Sequence, residues 1–237
     1  MILWEWDLSP ITAAMVLRAE GADPEVIQRR RPQLARLADQ ALREAAPLLT
    51  PVLITQEVPA SALFESERDC LAEGASIEVP WARPIAHAET LQVMAGTVGA
   101  ALEARVAALM QEDPAFALAL DAVGTVAIDL LRHAALQCCA GVAAARRMQV
   151  TRSLSPGIAG WPLAQGQRQI FARLNADELR EGGVERLRDS QLKPRKSFSM
   201  VVGMGAEVEP DRGSLCEECS LRGSCAYKAR YLIETLV

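Results

Sequence analysis

The residues best suited to chemistry lie in two places in the second half of the chain. Cys216, Cys219 and Cys225 follow the spacing C-x2-C-x5-C. Thiolates presented this closely from one loop can converge on a zinc ion or an iron–sulfur cluster, since both are held by cysteine sulfur. The second place runs from Arg152 to Gly205, beginning R-S-L-S-P-G-I-A-G-W-P-L-A-Q-G-Q and ending K-P-R-K-S-F-S-M-V-V-G-M-G. Pro156-Gly157 makes a tight turn and lets backbone N–H groups approach a ligand with no Cβ in the way. Gly160-Trp161-Pro162 makes a second turn, and Gln165 to Leu174 then reads as a helix. A loop that feeds a helix N-terminus suits a polar or anionic ligand.

Other reactive side chains are less well placed. His87 and His133 are the only histidines, and neither has a sequence-local partner, so both read as surface or satisfied groups. Cys70 falls in a helical pattern and reads as a small buried apolar residue. Adjacent cysteines on a helix point about 100° apart, so Cys138 and Cys139 should divide into one buried and one exposed thiol. Three tail thiolates leave one ligand position open. For a cluster it could be filled by Cys70, by Cys138 or Cys139, or by a partner, and for zinc by the same set or a histidine. The x2 then x5 spacing also closes the cluster loop of endonuclease III-type DNA glycosylases, but the further cysteine those enzymes carry seven residues earlier is Glu209 here. That likeness is local.

Several elements must position these groups. Ile2 to Asp7 alternates apolar and acidic residues, which suits an edge strand. Ser9-Pro10 reads as the start of a helix through Leu17 that Gly21 closes, and Asp23-Pro24 as the start of a second that runs to Arg31. Leu34, Leu37, Ala38, Ala41, Leu42 and Ala45 lie at helical spacing. Pro47 to Val58 reads as a strand, Ala62 to Glu73 as a helix, Ala75 to Trp81 as a strand and Pro80 to Pro84 as loop. Ala86 to Ala145 is alanine-rich and reads as packed helices broken by Gly96, Gly99, Asp113-Pro114 and Gly124. A last helical run ends at Gly182-Gly183, and the β-branched residues before Gly205 form a strand.

Composition excludes some classes. A formal net charge of −5 argues against nucleic acid as a partner, because a polyanion needs clustered positive charge; Arg29-Arg30-Arg31 reads as a solvated helix face. No stretch approaches the roughly 18 uninterrupted apolar residues of a membrane span, and the first residues carry acids where a secretory signal carries bases. The reading is a cytoplasmic protein. In that reducing compartment, clustered cysteines point to metal before disulfides. Residues 1–210 form one α+β domain with a mostly antiparallel sheet and packed helices, and 211–237 a cysteine-rich tail that binds metal or a cluster.

The order of residues also resembles a known family. S-P-G-I-A-G-W-P-L-A-Q-G-Q-R-Q-I-F-A-R-L is similar to the S-P-G-Y-G-D-W-P-L-x-x-Q-x-x-(I/L)-F-x-L-L motif of the activation domain of cobalamin-dependent methionine synthase. L-K-P-R-K-S-F-S-M-V-V-G-M-G looks like its later P-x-K-S-V-S-x-I-I-G-I-G strand. A-G-T-V-G at Ala95 to Gly99 is similar to its A-T-(I/L)-G turn, and L-D-A-V-G-T-V-A-I-D at Leu120 to Asp129 to its L-D-A-x-G-S-x-A-V-E helix. The resemblance implies a helmet-shaped α+β domain with a twisted, mostly antiparallel sheet over residues 10–205. It also implies S-adenosylmethionine bound by the loop Arg152, Ser155, Pro156, Gly157 and Ile158, with an arginine meeting the methionine carboxylate bidentately. Asp129 stands at the family's acidic helix position, and Lys196 and Ser197 belong to the supporting strand. Two positions depart from the pattern: Arg152 lies four residues before Pro156 rather than three, and Ile158 replaces a tyrosine.

The activity implied is accessory: supporting reductive reactivation of a corrinoid by S-adenosylmethionine-dependent methylation. No corrinoid-binding D-x-H-x-x-G occurs in the chain, so the corrinoid must be supplied by a partner, a corrinoid-binding methyltransferase or a methionine synthase core, with an electron-donor protein as a further partner. Because reactivation needs an electron, the resemblance favours a [4Fe-4S] cluster over zinc at Cys216, Cys219 and Cys225. The alternative is a metal-bound module that caps a corrinoid protein without binding S-adenosylmethionine.

Overall fold

The computed structural model describes residues 2–3, 10–63, 84–85, 87–158 and 160–209. The strand expected at Ala75 to Trp81, the helix expected at Ala62 to Glu73 beyond Leu63, and the cysteine motif at Cys216, Cys219 and Cys225 lie outside those residues. The chain divides into two compact units.

The first unit, built from described parts of residues 51–100 and 130–209 with residues 2–3, holds a five-stranded antiparallel sheet. Its strands are β1 (Ile2–Leu3), β2 (Val52–Pro59), β3 (Thr90–Thr97), β4 (Gln149–Val150) and β7 (Ser197–Gly205), in the order β1-β2-β3-β7-β4. A separate two-stranded ribbon pairs β5 (Glu185–Arg186) with β6 (Leu192–Lys193). The helical reading of Ala86 to Ala145 is corrected here, because Thr90–Thr97 is the central strand of the sheet. Its register runs from Val52↔Thr97 to Pro59↔Thr90 on one side and from Thr90↔Met204 to Thr97↔Ser197 on the other. From Val93 to Thr97 every residue is buried, so the polar alternation that marks a strand with one wet face is missing. Small residues there serve strand packing: a Cβ on Gly96 would stand 2.7 Å from the Phe198 ring and 3.3 Å from Leu131.

The sheet carries a core on each face. One joins Val52, Ile54, Leu91, Val93, Ala95 and Val201 to Leu154, Trp161, Ile170, Leu174, Leu179 and Val184. The last six belong to the loop after β4, to α6 (Leu163–Phe171), to α7 (Ala176–Glu181) and to the residues that follow each helix. The opposite core joins Leu53, Met94, Met200 and Val202 to Ala135 and Cys139, on the helix α5 (Pro114–Ala145). Parity explains the division, since residues i and i+2 of a strand share a face.

By length and composition alone α5 could cross a membrane, yet 56% of its most apolar window is buried inside the molecule. Ala117, Leu120, Val123, Ala127, Leu131 and Ala135 form its buried stripe, the three- and four-residue spacing of a helix in a protein core. As expected, its two cysteines divide: Cys138 is exposed and Cys139 buried. The Cys139 thiol lies 3.8 Å from the Met94 sulfur. Burial, and secondarily the neighbouring Cys138, push it up to about 11. Only the thiolate is nucleophilic, so at pH 8 roughly one Cys139 in a thousand is competent. Brief alkylation of native protein, read by peptide mass spectrometry, should modify Cys138 at least about 100-fold faster than Cys139. Equal rates would show that the residue is not packed against the sheet.

The second unit, residues 10–50 and 101–129 among those described, is helical: α1 (Ala13–Ala19), α2 (Pro24–Arg30), α3 (Pro32–Ala45), α4 (Ala101–Leu109) and the first half of α5. Asp23 caps α2 as the sequence implies, its Oδ1 accepting from Glu25 N at 2.9 Å and Val26 N at 3.3 Å. The first helix starts later than Ser9-Pro10 suggests. Thr12 is its N-cap, and its hydroxyl accepts from Met15 N at 3.3 Å. An ion pair joins Arg105 to Glu44 at 2.6 Å.

Candidate functional site

Residues 151–162 are laid along the edge of β7 and then turned back on themselves. Thr151 is bonded twice to Gly203: its N–H donates to the Gly203 carbonyl and its hydroxyl accepts from Gly203 N, each at 2.9 Å. The same hydroxyl donates to the Arg152 carbonyl at 3.0 Å. Leu154 and Val201 exchange backbone hydrogen bonds of 2.8 Å. From there the loop closes on itself, with Gly157 N donating to Trp161 O at 2.9 Å and Trp161 N to Ile158 O at 3.0 Å. The Pro-Gly and Gly-Trp-Pro turns are where the sequence places them, and both glycines need the left-handed region, Gly157 at φ +99° and Gly160 at φ +81°.

Trp161 holds this loop. Its ring is fully buried in the first core, and its indole N–H donates to Gln169 Oε1 at 2.7 Å. Gly166 lets α6 close down on it, since a Cβ there would meet Trp161 Cε2 at 2.7 Å and Pro156 Cβ at 2.8 Å. Helix α6 begins at Leu163, and no side chain caps its first turn.

Beside the loop is a cleft of about 350 Å³, at the small end of ligand pockets. Ser155 and Pro156 come from the loop, Leu163 and Gln167 from α6, Ser190 and Arg195 from the β5–β6 ribbon and its exit, and Ser197 and Ser199 from β7. Ser199 donates to Gln167 Oε1 at 3.1 Å, tying helix to sheet. Ser197 donates to the Pro194 carbonyl at 2.7 Å, fixing the approach to β7 that follows the cis Lys193-Pro194 bond. Between Glu185 and Lys196 the chain holds five basic residues (Arg186, Arg188, Lys193, Arg195, Lys196) and two acidic ones. This segment is therefore positive in a protein of net charge −5.

The eight residues expected from sequence are distributed unevenly. Ser155, Pro156 and Ser197 line the cleft. Gly157 is exposed on the turn, and Ile158 packs against the sheet core. Arg152 is half-buried, between Thr151, bonded to β7, and Ser153, whose hydroxyl accepts from Arg132 at 3.3 Å. The Lys196 carbonyl accepts from Val98 N and from the Thr97 hydroxyl, both at 3.2 Å. Asp129 lies in α5 and is counted with the second unit. Gln167, Ser190, Arg195 and Ser199 line the cleft without having been singled out, although the basic, serine-rich K-P-R-K-S-F-S approach to β7 was visible. Among the described residues, no group of three or more His, Cys, Asp and Glu side chains is placed to hold a metal ion.

No family model and no curated protein matches the sequence. Among solved structures the chain is similar to one described as the MetH reactivation domain bound to AdoHcy, with a TM-score of 0.54 over 87% of this chain and 85% of that one, at 12% sequence identity. The fold is therefore that of the MetH reactivation domain, an α+β arrangement of helices and a mostly antiparallel sheet.

Proposed function

We propose that the chain binds an S-adenosyl ligand and acts as an accessory protein to a corrinoid-dependent methyltransferase, supporting reductive reactivation of a corrinoid held by its partner. The observation that carries this reading is the fold shared with the MetH reactivation domain, whose solved chain holds AdoHcy. Here that fold is joined to a Pro-Gly loop anchored on β7 and opening on a polar cleft. S-adenosylmethionine, when bound, supplies an activated methyl group on its sulfonium. This chain's part is to bind and orient it.

The loop residues Arg152, Ser155, Pro156, Gly157 and Ile158, with Asp129, Lys196 and Ser197, are the proposed contacts. Arg152 is assigned to the carboxylate because a guanidinium pairs with that group through two parallel bonds. Cys216, Cys219 and Cys225 are proposed to hold a [4Fe-4S] cluster, or zinc, and the protein to work in the cytoplasm with a corrinoid protein and an electron donor. Cys139 is a poor choice of fourth ligand, since it is packed beneath the sheet.

A second reading, a metal-bound module that caps a corrinoid protein without binding S-adenosylmethionine, is favoured by one observation. Ile158 turns into the core at the position where the resembling family has a tyrosine. Titration calorimetry separates the two. Saturable heat with S-adenosylmethionine, weakened at least about tenfold by Arg152→Met, supports the first; no heat, with or without a corrinoid protein, leaves the second.

A further inference from the structure

We propose that Arg132 is a positioning residue: by holding Ser153 it fixes a β-bulge that aims Arg152 at the ligand carboxylate. The inference rests on the adenosyl-ligand reading, which assigns that carboxylate to Arg152. The bulge is visible in the register. Gln149, Val150 and Thr151 meet Gly205, Met204 and Gly203 in regular antiparallel order, but the next backbone pair is Leu154 with Val201. Arg152 and Ser153 therefore share the single position opposite Val202. An extra residue of this kind bends the strand and re-aims the side chains beside it. The sequence carries the same surplus, since Arg152 lies four residues before Pro156 where the resembling family has three. The surplus is thus taken up along β7, before the Pro156-Gly157 turn.

Side chains hold the bulge where the ladder is interrupted. Before it, the Thr151 hydroxyl stands in for a backbone carbonyl, accepting from Gly203 N at 2.9 Å, and donates to the Arg152 carbonyl at 3.0 Å. Within it, Ser153 is buried and its hydroxyl accepts from Arg132 Nη1 at 3.3 Å. Arg132 is half-buried on α5, beside Leu131, which is fully buried and packed close to Gly96 of β3. Its guanidinium therefore reaches the bulge from an element fixed on the sheet. Hydrogen bonds to a charged group are the stronger kind, and a bulge has given up ladder bonds that would otherwise hold it. Removing this contact loosens the presentation of Arg152 while the pairing of the longer strands stays intact.

The test joins two measurements on the full chain. Without ligand, amide hydrogen exchange at Leu154 and Gly203 should quicken at least about tenfold in Arg132→Met, and likewise in Ser153→Ala, with the amides of the β2–β3 pairing unchanged. Calorimetry with S-adenosylmethionine should show binding weakened about tenfold by Arg132→Met, and no further loss when Arg132→Met is added to Arg152→Met, because the first acts only through the second. Arg132→Lys keeps a charged donor and should bind more tightly than Arg132→Met. Arg105→Met, which breaks an ion pair on α4, should change neither readout. Exchange that stays at the parent rate, or losses that add in the double variant, would overturn the role of Arg132 alone. No heat from the parent protein would overturn the adenosyl-ligand reading and, with it, the ligand role given to Arg132.

Discussion

Trp161→Ala is expected to lower the free energy of unfolding by about 3–5 kcal/mol, the usual range for truncating a large buried aromatic. The ring is fully buried in the core it shares with Ile54, Val93, Leu154 and Ile170. Trp161→Phe keeps most of the apolar volume but removes the 2.7 Å hydrogen bond to Gln169. Its cost should be smaller, about 1–3 kcal/mol for a lost buried donor. Urea unfolding followed by far-ultraviolet circular dichroism distinguishes the two, with midpoints falling in that order at an unchanged slope. A loss below about 1 kcal/mol for Trp161→Ala would mean that the loop is not fastened through this ring.

Gly166→Ala is expected to act against the ordinary rule. Inside a helix, replacing glycine by alanine stabilises by up to about 1 kcal/mol. Here the added methyl would fall 2.7 Å from Trp161 and 2.8 and 2.9 Å from Pro156. Both neighbours are rings, and one of them is locked in the core, so neither can give way cheaply. Overpacking of this kind costs about 1–3 kcal/mol, which outweighs the gain in propensity and shifts the Ser155–Pro156 wall of the cleft. Gly141 in α5 is the internal control, because a methyl added there meets nothing within 4 Å. Gly141→Ala should be neutral or stabilising while Gly166→Ala destabilises. The same sign for both variants would remove the close contact as an explanation.

How far the sequence could be read depended on whether a signal was local. The turns at Pro156-Gly157 and Gly160-Trp161-Pro162, the Asp23 cap and the β7 strand were legible because turn chemistry and β-branched runs act over a few residues. Thr90–Thr97 was not, because burial on both faces removes the period-two pattern and Ala95-Gly96 looks like helix packing until Phe198 is known to lie opposite. The cleft was half legible. Ser155, Pro156 and Ser197 came from motifs, whereas Gln167 and Ser190 became candidates only once a polar side chain was seen to be buried. A two-residue strand pair such as β5–β6 carries too few residues for any periodicity.

The way residues 149–154 lie along β7 has a consequence for solubility. The rim of a sheet is a template on which other chains can add strands and aggregate. Gln149 and Val150 pair with Gly205 and Met204, and Thr151 and Leu154 continue the contact, so the stretch that leads into the Pro156-Gly157 turn also shields that rim. Loosening the loop would therefore bare a hydrophobic strand, Met200 to Met204, to its neighbours. A variant that frees this stretch should precipitate at concentrations where the parent protein stays clear, and selection for a well-seated loop would then come from colloidal stability as much as from any ligand.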